Sequence, residues 1–233
     1  MDVWANLPVM LACYGYIAVL IAVAGRLRGH PSVPRGASRK FLHAMIGNLP
    51  LAMPFFTESL FPFLVAAPFI AVTYLVSPHS PWPGLAGRMR GLSYITEEGH
   101  GMGLVLYAVS YSALALLYGA RPYVVAAGVL PMAYGDSAAA LVGTRYGRHR
   151  FRVYEYKSLE GCLAMFAGSL LSLLAGMAYF SRVYGFSLQA QVLPVLAVAA
   201  AATVAEAVTP RGLDNLTVPA MGALTFIAAG GGA

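Results

Sequence analysis

Charge is what this sequence has least of. Asp, Glu, Lys and Arg make up 10% of its 233 residues, and only nine of those residues are acidic. Soluble domains carry about 25% charge, and a soluble surface this apolar would expose patches large enough to aggregate. An ordinary soluble fold is therefore excluded. Cysteine is almost absent: Cys13 and Cys162 both lie in apolar stretches, without a Cys-x-x-Cys neighbour. This argues against a zinc site and a disulfide framework, and both read as small core hydrophobes. The Gly-x-x-x-x-Gly-Lys-Ser/Thr spacing of a Walker A loop is missing. There is no polar domain to carry the net charge of +6 onto a nucleic acid, so no nucleic-acid partner is expected. No internal repeat is visible, which counts against an inverted-repeat transporter. The first residues, Met1-Asp2-Val3-Trp4, lack a basic n-region, and the apolar run after them is too long for a signal h-region. A retained first span is expected there rather than a cleaved signal.

What the chain does have is apolar length. Hydrophobic residues make up 59% and the mean hydropathy is +0.69, the composition of a polytopic, all-α membrane protein with one transmembrane domain over 1–233. Windows of about 20 apolar residues predict eight spans near 3–25, 41–57, 59–77, 102–119, 122–143, 159–180, 189–208 and 216–230. The second and last are short and contain Pro or Gly, which marks them as tilted or broken. Pro131 and Gly135 invite a break in the fifth span just before Asp136. Eight spans put both termini on one side. Thirteen of the fifteen Lys and Arg then fall in the loops 26–40, 78–101, 144–158 and 209–215, leaving only Arg121 and Arg182 opposite. That asymmetry predicts cytoplasmic basic loops and outside termini.

The acids gather at the same face. Asp2 and Glu58 fall outside, while Glu97, Glu98, Asp136, Glu155, Glu160, Glu206 and Asp214 sit at or near the basic side. An acid inside or at the edge of a span is costly and is by default a functional hypothesis. Asp136, after Gly135, is either a helix cap or a ligand of a metal or phosphate site. The run Gly143-Thr144-Arg145-Tyr146-Gly147-Arg148-His149-Arg150-Phe151-Arg152 either anchors to anionic lipid or holds phosphate with backbone N–H groups and guanidinium forks. Lys157-Ser158-Leu159-Glu160-Gly161 opens the sixth span, where a cation and a hydroxyl at a helix start suit a triphosphate. Glu160 there either caps the helix or reaches a shared Mg²⁺. Asp214-Asn215 is either a turn or, with Glu206, a source of oxygen ligands. Arg39-Lys40-x-x-His43 enters the second span as an interfacial anchor or a phosphate-contacting group.

These segments, in this order, resemble the polyprenol kinase family, which includes dolichol kinase and phytol kinase. The likeness rests on Gly135-Asp136-x-x-Ala139-x-x-x-Gly143-x-x-x-Gly147, on Lys157-Ser158-x-Glu160-Gly161 followed by Ala164-Met165-Phe166, on Glu206…Asp214-Asn215-x-x-x-Pro219, and on Arg39-Lys40-x-x-His43. It extends from about residue 39 to 219. The resemblance implies CTP-dependent phosphorylation of an isoprenoid alcohol such as dolichol, phytol or geranylgeraniol, with a divalent cation such as Mg²⁺, on the cytoplasmic side; the lack of an organelle-targeting segment favours a prokaryotic plasma membrane. Ala140 stands where some phytol kinases carry an aspartate, which leaves a dolichol-type or archaeal-type activity open. On this reading Asp136, Glu160 and Asp214 hold the metal, and Lys157 with Arg145 or Arg148 neutralises the transferred group. Arg39, Lys40, His43, Gly135, Gly143, Gly147, Ser158 and Asn215 contact the nucleotide or its phosphates, and Asp136 or Glu206 takes the hydroxyl proton. The family is distantly related to the CDP-diacylglycerol synthases, so a cytidylyltransferase making a CDP-lipid from a lipid phosphate is the alternative. A transporter or lipid-binding scaffold would line a central path with its acids instead of gathering them at one face.

Overall fold

Apolar length dictates helices, and the computed structural model is almost entirely helical. It describes residues 2–33, 36–82, 84, 102–210 and 212–232. Most of the polar loop expected at 78–101, with Glu97 and Glu98, lies outside the described residues. The chain begins with α1 (Val3–Gly29), whose N-cap Asp2 accepts a hydrogen bond from the Ala5 N–H at 3.1 Å. It continues through α2 (Ala37–Ile46), a 3₁₀ turn (Leu49–Phe55), α3 (Phe61–Ala66), α4 (Pro68–Leu75) and α5 (Gly103–Tyr118). The helix α6 (Pro122–Leu130) runs through a π-helical turn (Pro131–Gly135) into α7 (Asp136–Tyr146). A small hairpin follows, β1 (Arg150–Arg152) with β2 (Tyr156–Ser158), and then α8 (Leu159–Tyr184), α9 (Val192–Val208) and α10 (Asp214–Ala228).

Among the described residues four helices are long and apolar enough to cross a membrane: Val3–Gly29, Pro122–Tyr146, Leu159–Tyr184 and Gln189–Val208. Phe61–Leu75 and Gly103–Tyr118 are apolar but shorter. The expected span at 41–57 is broken into α2 and the 3₁₀ turn, because Pro50 and Pro54 cannot donate the bonds that would continue an α-helix. Pro68 divides 59–77 into α3 and α4 in the same way.

The helix from α6 to α7 forms the centre of the molecule. Val125, Ala126, Ala127 and Val129 are fully buried, and α8, α9 and α10 bring Phe180, Val195 and Phe226 onto them. Where the sequence suggested a cap at Asp136, the structure has a continuous helix with a π-turn. Gly135 keeps right-handed helical angles, and the Asp136 N–H bonds back five residues to the Pro131 carbonyl. The extra residue in that turn rotates everything after it by about 100° around the axis. This aims Asp136 away from the core.

The glycine pattern also gains a physical reason here. Gly135, Ala139, Gly143 and Gly147 recur every four residues, so on α7 they form one stripe of small side chains. α8 lies against that stripe: a Cβ on Gly135 would fall 2.3 Å from Ser169 Oγ, and one on Gly161 would fall 3.4 Å from the Gly143 Cα. Small residues at such crossings let backbones approach closely within a membrane. Gly135→Val is expected to destabilise by about 1–3 kcal/mol through overpacking. In detergent this reads as a clear fall in melting temperature. Gly25→Ala on α1, where nothing lies within 4 Å of the new methyl, should leave the melting temperature unchanged or slightly raised.

Candidate active site

Charge that cannot sit in lipid has to collect where helices end, and in this fold many of the ends meet. The start of α2, the end of α7, the hairpin, the start of α8, the end of α9 and the start of α10 surround a cavity of about 490 Å³. That volume lies within the usual range for small-molecule sites. The opposite end of the molecule is tied by other groups. There the Asp2 N–H donates to Glu58 at 2.6 Å and Asn6 bonds Thr57.

On α2, Arg39 and His43 lie one turn apart, and both face the cavity with Lys40. Lys40 forms an ion pair with Asp136, and His43 Nε2 stands 3.9 Å from the same carboxylate. His43 is held in place from two sides. Its Nε2 contacts the Met132 carbonyl in the π-turn at 3.2 Å, and its ring lies 4.4 Å from that of Tyr107. The Arg39 Nε is buried without a hydrogen-bond partner among the described residues. A buried guanidinium nitrogen left unpaired is expensive, and an anion in the cavity would satisfy it.

Across the cavity the hairpin positions a second cation. Its register pairs Phe151 with Lys157 and Arg150 with Ser158. Ser158 then caps α8, its Oγ accepting from the Gly161 N–H at 3.1 Å. Lys157 pairs with Glu206, which is buried near the end of α9. Asp214 and Asn215 open α10, and the Asn215 N–H donates to Asp214 Oδ1 at 2.9 Å. The site thus holds two lysine–carboxylate pairs, two further carboxylates in Asp214 and Glu155, and a guanidinium nitrogen without a hydrogen-bond partner among the described residues. It combines anion-binding cations with hard oxygen donors.

Ten of the residues expected at the site line this cavity: Arg39, Lys40, His43, Asp136, Gly143, Lys157, Ser158, Glu206, Asp214 and Asn215. The other five do not. Gly135 is occupied by the contact with α8. Gly147 closes the turn after α7, its N–H bonding the Gly143 carbonyl at 3.2 Å. Arg145 is exposed and lies over the Tyr146 ring. Arg148 and Glu160 belong to the hairpin base, where the Glu160 carboxylate accepts from the backbone N–H groups of Arg148 and His149 and pairs with His149 Nδ1 at 2.7 Å. Glu160 therefore ties the hairpin to α8 and faces away from the cavity. The hairpin brings Arg150 of the basic run to the cavity, and the structure adds Glu155 and Tyr156. Nothing in 147–158 carries an Asn-Gly type turn signal, so this strand pairing was not visible in the sequence.

The donor set suits a divalent cation held jointly with a ligand. Among the described residues no three His, Cys, Asp or Glu side chains converge into a ready-made metal cluster. Mg²⁺ is commonly bound by one or two carboxylates together with substrate phosphates. Asp136 and Asp214, both on the cavity wall, fit that pattern.

No protein-family profile matches the chain, and no solved structure does either. The chain is, however, 32% identical over 217 residues to a phytol kinase from Synechocystis sp., a match covering 90% of this chain and 86% of that protein. The chain is an integral membrane protein of the polyprenol kinase family, to which phytol kinase belongs.

Proposed function

We propose that this protein transfers the γ-phosphoryl group of CTP to the hydroxyl of an isoprenoid alcohol, in the cavity between α2, α7, the hairpin, α9 and α10. The reading is carried by two lysine–carboxylate pairs facing one cavity of nucleotide-compatible size. It is supported by the 32% identity to a phytol kinase. Phosphoryl transfer needs mainly positioning and charge stabilisation, and this constellation supplies both. Lys40 and Lys157 exchange their carboxylate partners for phosphate oxygens, and the buried Arg39 Nε gains one. A divalent cation such as Mg²⁺, held by Asp136 and Asp214 when bound, supplies charge neutralisation on the β- and γ-phosphates. The alcohol oxygen forms a bond to the γ-phosphorus, its proton passes to Asp136 or Glu206, and the bond from phosphorus to the bridging oxygen breaks to release CDP.

The membrane arrangement belongs to the same proposal. The shorter segments at α2 with the 3₁₀ turn, α3–α4, α5 and α10 join the four long helices as eight crossings of a single transmembrane domain. The concentration of cations at the cavity end supports a cytoplasmic cavity in a prokaryotic cell, with both termini outside. The alcohol then arrives laterally from the bilayer and CTP from the water phase.

Labelled CTP tests the reaction. With purified protein, Mg²⁺ and geranylgeraniol or phytol, label is expected to reach the lipid from γ-labelled CTP and not from α-labelled CTP. Transfer only from the α-position, with a prenyl phosphate or phosphatidic acid as acceptor, would replace this reading with a cytidylyltransferase.

A further inference from the structure

A second, wholly different cleft adjoins the charged cavity. It is a small space of about 60 Å³ walled by residues of α1, α2, α3, α4 and α5, among them Ile17, Leu42, Ile46, Phe69, Ala108 and Tyr111. Two of its polar groups are internally satisfied: Thr73 Oγ1 donates to the Phe69 carbonyl at 2.6 Å, and the Tyr107 hydroxyl donates to the His43 carbonyl at 3.3 Å. The rest of the lining is almost wholly apolar and suits hydrocarbon.

Two features connect it to the chemistry. Leu104 lines both the charged cavity and the cleft. The helix α2 serves both as well, with Arg39, Lys40 and His43 turned to the cavity and Leu42 and Ile46 to the cleft. From Leu104 the cleft follows α5 to Tyr111, two helical turns or about 10 Å. Ile21, Ile46, Phe69 and Leu104 are only half-buried, so the cleft opens sideways to the lipid-facing surface.

Building on the kinase reading, we propose that this cleft between α1, α2, α3–α4 and α5 holds the head-proximal part of the isoprenoid chain. The chain enters from the bilayer, and the hydroxyl passes Leu104 into the charged cavity. That entry lies on the α2 side, where Lys40 and His43 flank Asp136. Glu206 and Lys157 sit on the α9 and hairpin side. The substrate hydroxyl therefore meets Asp136, and the Lys157–Glu206 side is left to the nucleotide. Because the enclosed length is short, the enzyme reads the branching nearest the hydroxyl and is indifferent to total chain length.

Ala108→Phe places a ring into the cleft without touching the charged groups. The KM for phytol is expected to rise about tenfold or more, equivalent to losing the burial of about two methylene groups, with the KM for CTP unchanged. In parallel, a phytol analogue carrying a diazirine near its hydroxyl end is photolysed on the wild-type protein, and the labelled peptides are mapped. Label on α2, α4 and α5, displaced by unlabelled phytol, is the result expected. Label confined to α8 or α9, or an unchanged KM in a folded Ala108→Phe protein, would overturn the cleft assignment while γ-transfer by the wild type still upheld the kinase. Label seated in the cleft with no γ-transfer by the wild type would uphold the cleft and remove the kinase.

Discussion

Asp136→Asn is expected to lower turnover about 10²- to 10⁴-fold, the range for losing a proton acceptor or a preorganised charge at the reacting centre. Asparagine keeps the volume and one oxygen for Lys40 but loses the negative charge. The side chain follows the π-turn, whose backbone bonds to Pro131 do not depend on it. Both partners of the Lys40–Asp136 pair retain some exposure to the cavity, so water can solvate the lysine left behind. Folding should therefore survive, and the check is kcat for γ-transfer beside the melting temperature of the same preparation. Raising the Mg²⁺ concentration separates the two roles of the carboxylate. A purely metal-holding Asp136 would be partly rescued, whereas a proton-accepting one would not. A fully active Asp136→Asn protein would remove both roles.

Lys157→Met should behave differently because its partner is more deeply placed. Glu206 is 5% exposed, and stripping the cation from a buried pair leaves an unpaired carboxylate, at a cost of about 3–5 kcal/mol. The single variant is expected to lose both stability and activity, and by itself would not separate structure from catalysis. The double variant Lys157→Met with Glu206→Gln does separate them. Replacing a buried pair by neutral groups of similar volume is often close to neutral for stability, so the melting temperature should return towards wild type. Turnover should stay about 10²- to 10³-fold down, because the cation that meets developing phosphate charge is still missing. Recovery of both properties in the double variant would reduce the pair to a structural fastening of the hairpin onto α9.

The cavity brings some of the motif residues together and leaves others outside it. Cations and acids were legible because their chemistry is written in their side chains: Lys40, Asp136, Lys157, Glu206 and Asp214 have few uses at the edge of an apolar span other than meeting each other or a ligand. Glycines carry no such signature. Beside a basic run Gly135 and Gly147 suit phosphate-cradling backbone, yet at four-residue spacing glycines are equally the signature of close packing: Gly135 meets Ser169 and Met165 of α8, and Gly147 meets Ser158 at the end of the hairpin. Glu160 was ambiguous for a related reason. One turn into a helix, an acid can face the site or reach back to the loop before it, and the fold of the hairpin chose His149.

By itself the sequence determined the class of molecule and its polarity. Low charge and long apolar runs call for helices in lipid, and the cations and acids of the sequence fall mostly in the same few segments between those runs. Those conclusions rest on transfer energies and charge, which each residue carries wherever the chain goes. Only the tertiary structure decided which charges meet. The partnership of Lys40 with Asp136 spans 96 residues and that of Lys157 with Glu206 spans 49, and no local pattern encodes either. The turn of about 100° that the π-bulge adds before Asp136, the hairpin that delivers Lys157, and the apolar cleft meeting the cavity at Leu104 all follow from how helices of unequal length pack together. A linear reading of propensities has no access to that geometry.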